Sequence, residues 1–286
     1  MAKLHDVNSK VRNITLLVVA LTLFGCSKQF FYKNIDWFVM DYIDDYVSLN
    51  QEQETMVEER LLLLTDWHKK EELPLYVAHL KELEVIKPSD ISLAFLKKNR
   101  ERGVEHYERL LEKIAPDLFS LSMQLSEKQQ HEFLDNVLDR YKERNDKYIG
   151  KTEQEVRSVI LENTQDWIKD LIGKLTPDQR EYAKQFSQQV TLNSPLWRNY
   201  RASVYQELEY LFENKADSIV YQKVFMQILF EPELYYSEQL SENIERNLAL
   251  VDQLTLQISQ SMDENQWQHF HEQVREWRVL AEDMME

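Results

Sequence analysis

The chain of 286 residues contains only four glycines and one cysteine. Phosphate-binding loops and dinucleotide fingerprints need several glycines within one short run, and the sequence has no such run. A single cysteine also excludes a disulfide bond within the chain. We therefore expect no nucleotide bound through these loops and no disulfide that stabilises the fold.

Positive charge is also scarce, because 34 lysines and arginines face 50 aspartates and glutamates, giving a net charge of −16. A body of this charge is repelled by nucleic acids and by anionic lipid headgroups. The sequence contains no His-Glu-x-x-His metal motif and no Gly-x-Ser-x-Gly nucleophile elbow. We expect no nucleic-acid partner and no cofactor.

The first 26 residues show the pattern of a bacterial lipoprotein precursor. Three basic residues precede an apolar run from Ile14 to Phe24, and Gly25-Cys26 follows. The run is too short for a membrane-spanning helix, which needs about 20 residues. The pattern predicts a signal peptide over residues 1–25, cleavage before Cys26 and lipidation of the Cys26 thiol. The alternative is an ordinary N-terminal helix with a buried thiol.

Cleavage before Cys26 would leave three parts with different positions. We expect a lipidated N-terminus and short tether over residues 26–32 and an all-helical periplasmic domain over residues 33–286. Several acyl chains, at about 0.8 kcal/mol per buried methylene, form a durable membrane anchor. Ser27 follows the cysteine, where aspartate would favour the inner membrane. The sequence therefore predicts an outer-membrane anchor with the body facing the periplasm.

The body of the chain has the pattern of an all-α protein. Apolar residues recur at three- and four-residue spacing almost throughout, and glycine-based hairpin turns are absent. We predict a multi-helix bundle of about eight to ten helices. Prolines restrict the residue before them and remove a backbone donor, so we expect helix breaks at Pro74, Pro88, Pro116 and Pro232.

Four helix starts share one layout. Each has a leucine or methionine, then a polar N-cap residue, then a glutamine three residues after the cap, as in a capping box. The cap–glutamine pairs are Asn50–Gln53, Ser126–Gln129, Thr176–Gln179 and Asp263–Gln266, and Thr152–Glu155 is a fifth box. Their irregular spacing argues against a solenoid. We favour repeated use of a good helix start over an internal duplication.

Two resemblances follow from these segments. The run from Leu175 to Gln179 resembles the LTxxQ motif of the small periplasmic helical chaperones typified by the spheroplast-stress protein, which implies a cradle for unfolded clients. The predicted lipidated cysteine, the segments 31–37 and 42–47, the cap at Asn50 and the segment 67–74 resemble, in that order, a bacterial lipoprotein family filed as domain of unknown function 6279. That likeness implies an envelope lipoprotein with a helical body and implies no reaction.

The first predicted helix carries the most distinctive surface. With its apolar stripe facing inward, Trp37, Met40, Asp41 and Asp44 fall on the opposite side, and Asp36 lies one turn before Asp41. This face is a candidate cation site or docking surface with Trp37 as its anchor. The alternative is that a second layer of helices covers Trp37 while the acids are solvated.

The second candidate group is Trp67, His68 and Glu71. Glu71 and Glu72 lie three and four residues after His68, so either carboxylate can reach the imidazole on a helix. A half-buried histidine held by a glutamate is the simpler interpretation, because a bundle di-metal site needs Glu-x-x-His pairs and the sequence has none.

These observations favour a binding protein over an enzyme. We expect a protein partner or client in the cell envelope. The alternative is an envelope hydrolase or metal-dependent enzyme whose carboxylates converge from separate helices, with Asp36, Asp41, Asp44, His68 and Glu71 as the candidate residues.

Overall fold

The computed structural model describes residues 34–286. The predicted signal peptide, the residues 26–32 and the lipidation site Cys26 lie outside the described residues.

Ten helices and no strand occupy the described part of the chain. This confirms the prediction of an all-α protein with about eight to ten helices. Two short 3-10 helices, Pro88–Asp90 and Pro232–Tyr235, connect longer elements. The helices are α1 Ile35–Asp44, α2 over 51–83 (α-helical over Gln51–Trp67 and Leu73–Leu83 with a π-turn His68–Glu72 between), α3 Leu93–Gln124, α4 Glu127–Asp146, α5 Glu153–Ile172, α6 Pro177–Gln189, α7 Ser194–Glu213, α8 Ser218–Phe230, α9 Glu238–Ser261 and α10 Glu264–Met285.

All five predicted capping boxes are present. In α6, for example, the Thr176 hydroxyl accepts from the backbone N–H of Gln179, and Gln179 Oε1 accepts from the backbone N–H of Thr176 at 2.9 Å. Two backbone donors that a helix start leaves unsatisfied are thereby bonded. These boxes explain why the helix starts could be placed from local sequence.

Two of the four predicted proline breaks are confirmed. Pro88 and Pro232 each begin a 3-10 helix between longer helices. The break predicted at Pro116 is wrong, because Pro116 lies inside α3. Leu111 and Ala115, on the preceding turn, are buried. We attribute the continuity of α3 to this burial, which offsets the backbone hydrogen bond that proline removes.

The break predicted at Pro74 is also wrong, since α2 continues through it. A π-turn over His68–Glu72 inserts one residue just before the proline, and the backbone N–H of Leu73 donates to the carbonyl of His68, five residues earlier. Such single-turn π segments inside α-helices frequently occur at functional sites. Here the turn carries Glu72, which is buried.

The first two cap motifs bind each other across the fold. Gln53 and Gln129, each already part of its own capping box, exchange amide hydrogen bonds, with Gln129 Nε2 donating to Gln53 Oε1 at 2.6 Å. Each amide nitrogen also donates to a backbone carbonyl that lies two residues before the N-cap of the partner helix. Gln53 donates to the carbonyl of Gln124, and Gln129 donates to the carbonyl of Ser48. The starts of α2 and α4 are therefore joined by a local two-fold arrangement.

The other two cap motifs repeat this arrangement. Gln179 and Gln266 exchange amide hydrogen bonds of 2.8 Å in both directions. Gln266 donates to the carbonyl of Lys174 and Gln179 to that of Ser261, again two residues before the opposite cap. A buried amide needs all its partners satisfied, and this geometry supplies them. The recurring motif therefore builds tertiary contacts as well as helix starts.

The core consists of several apolar clusters that link helices distant in sequence. One joins the second half of α2 to α10 through Leu73, Val77, Leu280 and Met284. A second lies among α5, α6 and α9, and a third joins α1 and α2 to the end of α3 and to α4. Two more involve α7, one with α9 and the other with α3 and α8. Every helix within residues 34–286 is too short or too polar to cross a bilayer.

Candidate functional site

Four residues of α1 form a surface that faces solvent. Asp36, Trp37, Asp41 and Asp44, here called the α1 surface, are all exposed. Trp37 is 61% exposed, so no second layer of helices from the described part of the chain covers it. Trp37 touches the ring of Phe38 edge-on, with the centroids 4.8 Å apart.

The other side of α1 attaches it to the body. Ile35 packs on the cluster between α2 and α10, whereas Met40 and Ile43 pack on the cluster between α2 and α4. The expectation that Met40 shares the outward face was therefore wrong. These contacts fix α1 along α2 and leave the α1 surface pointing away from the core.

The charged side chains of α1 are all negative. The helix carries three aspartates and no lysine or arginine. Asp45, the residue after the helix, forms an ion pair with Arg140 of α4. Exposed charges that lie within about 10 Å reinforce one another at ordinary ionic strength. The α1 surface is therefore an aromatic side chain surrounded by negative charge.

The second predicted group, Trp67, His68 and Glu71, does not form a metal site with the acids of the α1 surface. Trp67 and His68 are half-buried, while Glu71 is exposed. The Lys113 ammonium lies 5.4 Å from the Trp67 ring centroid, and the His68 ring meets Tyr76 edge-on at 5.6 Å. Among residues 34–286, no three His, Cys, Asp or Glu side chains converge to hold a metal ion.

The buried acid of the π-turn is Glu72, which the sequence analysis considered only as a possible partner of His68. Its side chain is 1% exposed. Arg109 of α3 donates to both carboxylate oxygens, Nε to Oε2 at 2.8 Å and Nη2 to Oε1 at 3.0 Å, and His106 Nδ1 lies 2.6 Å from Oε1. We call Glu72, His106 and Arg109 the Glu72 network. It joins α2 to α3.

Aromatic rings surround the Glu72 network. The Tyr76 ring meets the His106 ring edge-on at 4.5 Å, and the His79 ring stacks on the His106 ring at 5.6 Å. His79 Nε2 is 2.8 Å from Asn99 Oδ1. Three histidines and a tyrosine thus lie along the junction of α2 and α3.

The network holds its charges in a defined state. Burial opposes ionisation of Glu72, but the hydrogen bonds from Arg109 and His106 outweigh it and keep the pKa of Glu72 below 4.5. Burial lowers the pKa of His106 despite the nearby carboxylate, and burial likewise lowers the pKa of His68. Both oxygens of Glu72 accept hydrogen bonds. The arrangement therefore suits an ion pair that holds α2 and α3 together better than it suits proton transfer.

No local motif could have identified the Glu72 network, since its partners lie 34 and 37 residues further along the chain. The available signal was weaker. His106 and Arg109 are three residues apart and share one helix face. That spacing does not connect α2 with α3.

We predict that acid weakens the fold in two stages. Native His68 and His106 have lowered pKa values, so the unfolded chain binds more protons as the pH falls through 6.5, and stability decreases. The contribution of Glu72 is complete above 4.5 and is lost as the pH falls through its lowered pKa. The urea midpoint should fall between about pH 7.5 and about pH 5.5. The decrease should be smaller in His68→Gln, and an equal decrease would contradict the assignment.

Two cavities lie apart from both predicted groups. One of about 520 Å³ lies between the turn at Ile86–Pro88 and α10, beside Trp267 and Arg275. The other, of about 290 Å³, lies between α3 and α9 beside the ion pair of Arg100 and Asp252. Neither is lined by a residue of the α1 surface or of the Glu72 network.

Comparison with known proteins places this architecture in one family. The family described as "Family of unknown function (DUF6279)" matches residues 45–241, which is more than half of the chain, so the chain belongs to that family. No curated protein and no solved structure matches the chain. The matched range contains α2, the Glu72 network and the first three of the four glutamine cap motifs, and it begins just after the α1 surface.

Proposed function

We propose that this member of the DUF6279 family is a non-enzymatic lipoprotein of the outer membrane whose α1 surface binds a protein partner in the periplasm. The observation that carries the proposal is the exposure of Trp37 on a helix whose other side is packed. Tryptophan is the residue type that most often supplies binding energy at the centre of an interface. Burying this ring against a partner would remove a large apolar area from water.

The charge of the α1 surface defines the chemistry of the partner. Asp36, Asp41 and Asp44 lie around Trp37, and the helix has no basic residue to neutralise them. Complementary potentials speed association and select among partners. The surface therefore suits a protein that presents an apolar recess bordered by lysine or arginine side chains.

The predicted anchor would hold the α1 surface close to the membrane. The signal pattern predicts a lipid on Cys26, and α1 begins at Ile35. Fully extended chain spans at most about 3.5 Å per residue, so the connection reaches at most about 30 Å from the bilayer. A membrane-associated or membrane-proximal partner fits this reach.

The alternative of a hydrolase or metal-dependent enzyme has less support. Asp36, Asp41, Asp44 and Glu71 are exposed, whereas His68 lies half-buried beside Tyr76. The buried carboxylate nearest to His68 is Glu72, and Arg109 and His106 occupy both of its oxygens. An active site needs a concave pocket with convergent groups, and the candidate acids do not line either of the two cavities described above.

Photo-crosslinking in living cells tests the proposal. A photoreactive phenylalanine analogue placed at position 37 should give a discrete protein adduct. The matched control is position 167, because Trp167 of α5 is another tryptophan with about half of its surface exposed (52%). The proposal expects no such adduct there. An absence of adducts at position 37, or the same adducts at both positions, would contradict it.

The same cells test the anchor. A radioactive fatty acid should label the unaltered chain and not the Cys26→Ala variant, which should leave the membrane fraction. Loss of the tether lowers the effective concentration at the membrane, so the adduct at position 37 should decrease at least about fivefold. Absence of fatty-acid label in the unaltered chain would contradict the predicted lipid anchor.

A further inference from the structure

Three arginines lie on the two helices where the end of α4 meets the beginning of α7. Arg198 and Arg201 are three residues apart on α7 and therefore share a face. Arg201 Nη2 donates to Asn145 Oδ1 of α4 at 2.5 Å. Arg144 precedes Asn145, and its charge acts on Arg201 together with that of Arg198.

These three guanidinium groups lack the negative partners that most arginines of the described chain have. Arg109, Arg140 and Arg278 each form an ion pair with a carboxylate. Among the residues that the structure describes, no aspartate or glutamate forms an ion pair with the three arginines, and the titratable groups that act most strongly on Arg201 are those two arginines and the phenols of Tyr141 and Tyr148. Local positive charge without compensation is unexpected in a chain with a net charge of −16.

Arg201 also has an unused hydrogen-bond donor. Its Nε is buried and has no hydrogen-bond partner, although its Nη2 binds the neutral amide of Asn145. A buried donor without an acceptor costs free energy. Burial and the charges of Arg144 and Arg198 lower the pKa of Arg201. An anion bound at the solvent-exposed edge of the group, beside Arg198, would offset the repulsion among the three guanidinium charges.

We propose that Arg144, Arg198 and Arg201 form a binding site for a phosphate-type oxyanion. The guanidinium group is planar and presents paired donors that match phosphate oxygens. Arg198 is exposed, whereas Arg144 and Arg201 are half-buried, so the site is open to solvent on one side and low in water on the other. Because the site lies on α4 and α7, it is independent of the α1 surface and of the proposed partner.

Thermal unfolding of the purified full chain in detergent tests the site. Sodium pyrophosphate should raise the melting temperature more than sodium chloride at equal ionic strength, because a ligand that binds the native state stabilises it. Arg201→Gln should need about tenfold more pyrophosphate for the same shift. Without anion, this variant should melt no lower than the unaltered chain, since it removes an uncompensated cation. Arg198→Gln, at the exposed edge, provides the same test if Arg201→Gln fails to fold.

A control variant and a comparison between free and lipid phosphate complete the experiment. Arg246→Gln, which alters an exposed arginine of α9, should keep the full response to pyrophosphate. Mixed micelles that contain phosphatidylglycerol, compared with phosphatidylcholine, show whether a lipid phosphate occupies the site. A shift with pyrophosphate, or with phosphatidylglycerol alone, supports the proposal and identifies the source. No shift with either, or an unchanged shift in both arginine variants of the site, overturns it.

Discussion

Replacing Glu72 by glutamine should lower the free energy of unfolding by about 2 kcal/mol, as expected when a buried carboxylate that accepts charged hydrogen bonds is removed. The variant keeps the size of the side chain but leaves Arg109 and half-buried His106 without the carboxylate that binds them. It therefore removes the charge that joins α2 to α3 while both helices stay intact. Urea unfolding followed by circular dichroism measures the change.

The neighbouring residue provides a matched control for this prediction. Glu71 lies in the same π-turn but is exposed, so Glu71→Gln should change the free energy of unfolding by less than about 0.5 kcal/mol. A loss below about 1 kcal/mol in Glu72→Gln, or equal losses in the two variants, would show that the network does not pin the helices.

Replacing Gln179 by leucine should cost about 2 to 4 kcal/mol of unfolding free energy, because several partners lose a buried hydrogen bond at once. Gln179 is 0% exposed, and its amide binds the Thr176 backbone, Ser261 and Gln266. Leucine has a similar volume and cannot supply any of these bonds. The same urea experiment measures the loss.

A double-mutant cycle separates the paired bond from the two capping boxes. The variant Gln179→Leu/Gln266→Leu should cost about 1 to 2 kcal/mol less than the sum of the single changes, because the reciprocal amide bonds can be lost only once. Gln268→Leu is the control, since Gln268 is exposed on α10 and, within residues 34–286, its amide binds only Glu272. Additive losses in the cycle would mean that the two motifs act separately.

The sequence predicted the features that depend on local structure. Helical periodicity gave the all-α class, and the polar caps gave five helix starts that the structure confirms. Capping boxes are formed by residues three apart, so their geometry follows from the chain itself. The breaks at Pro88 and Pro232 are also confirmed, since each proline begins a 3-10 helix and no long helix continues through it.

The features that depend on contacts between distant residues were not predicted. The cap glutamines were interpreted as local devices, yet they bind each other over 76 and 87 residues. Pro116 does not end α3, which propensity alone could not indicate because tertiary packing overrides it. Of the adjacent acids of the π-turn, Glu72 is buried and Glu71 is exposed, and the local sequence does not distinguish them.

The photo-crosslink at position 37 in living cells, made with and without the surrounding acids, tests the central claim most directly. The account predicts a discrete protein adduct in the otherwise unaltered chain. It predicts at least about a fivefold decrease when Asp36, Asp41 and Asp44 are all replaced by asparagine, because steering and complementarity are lost. An adduct of unchanged yield in the neutralised variant, or no adduct in either chain, would contradict the proposal that the α1 surface binds a basic protein partner.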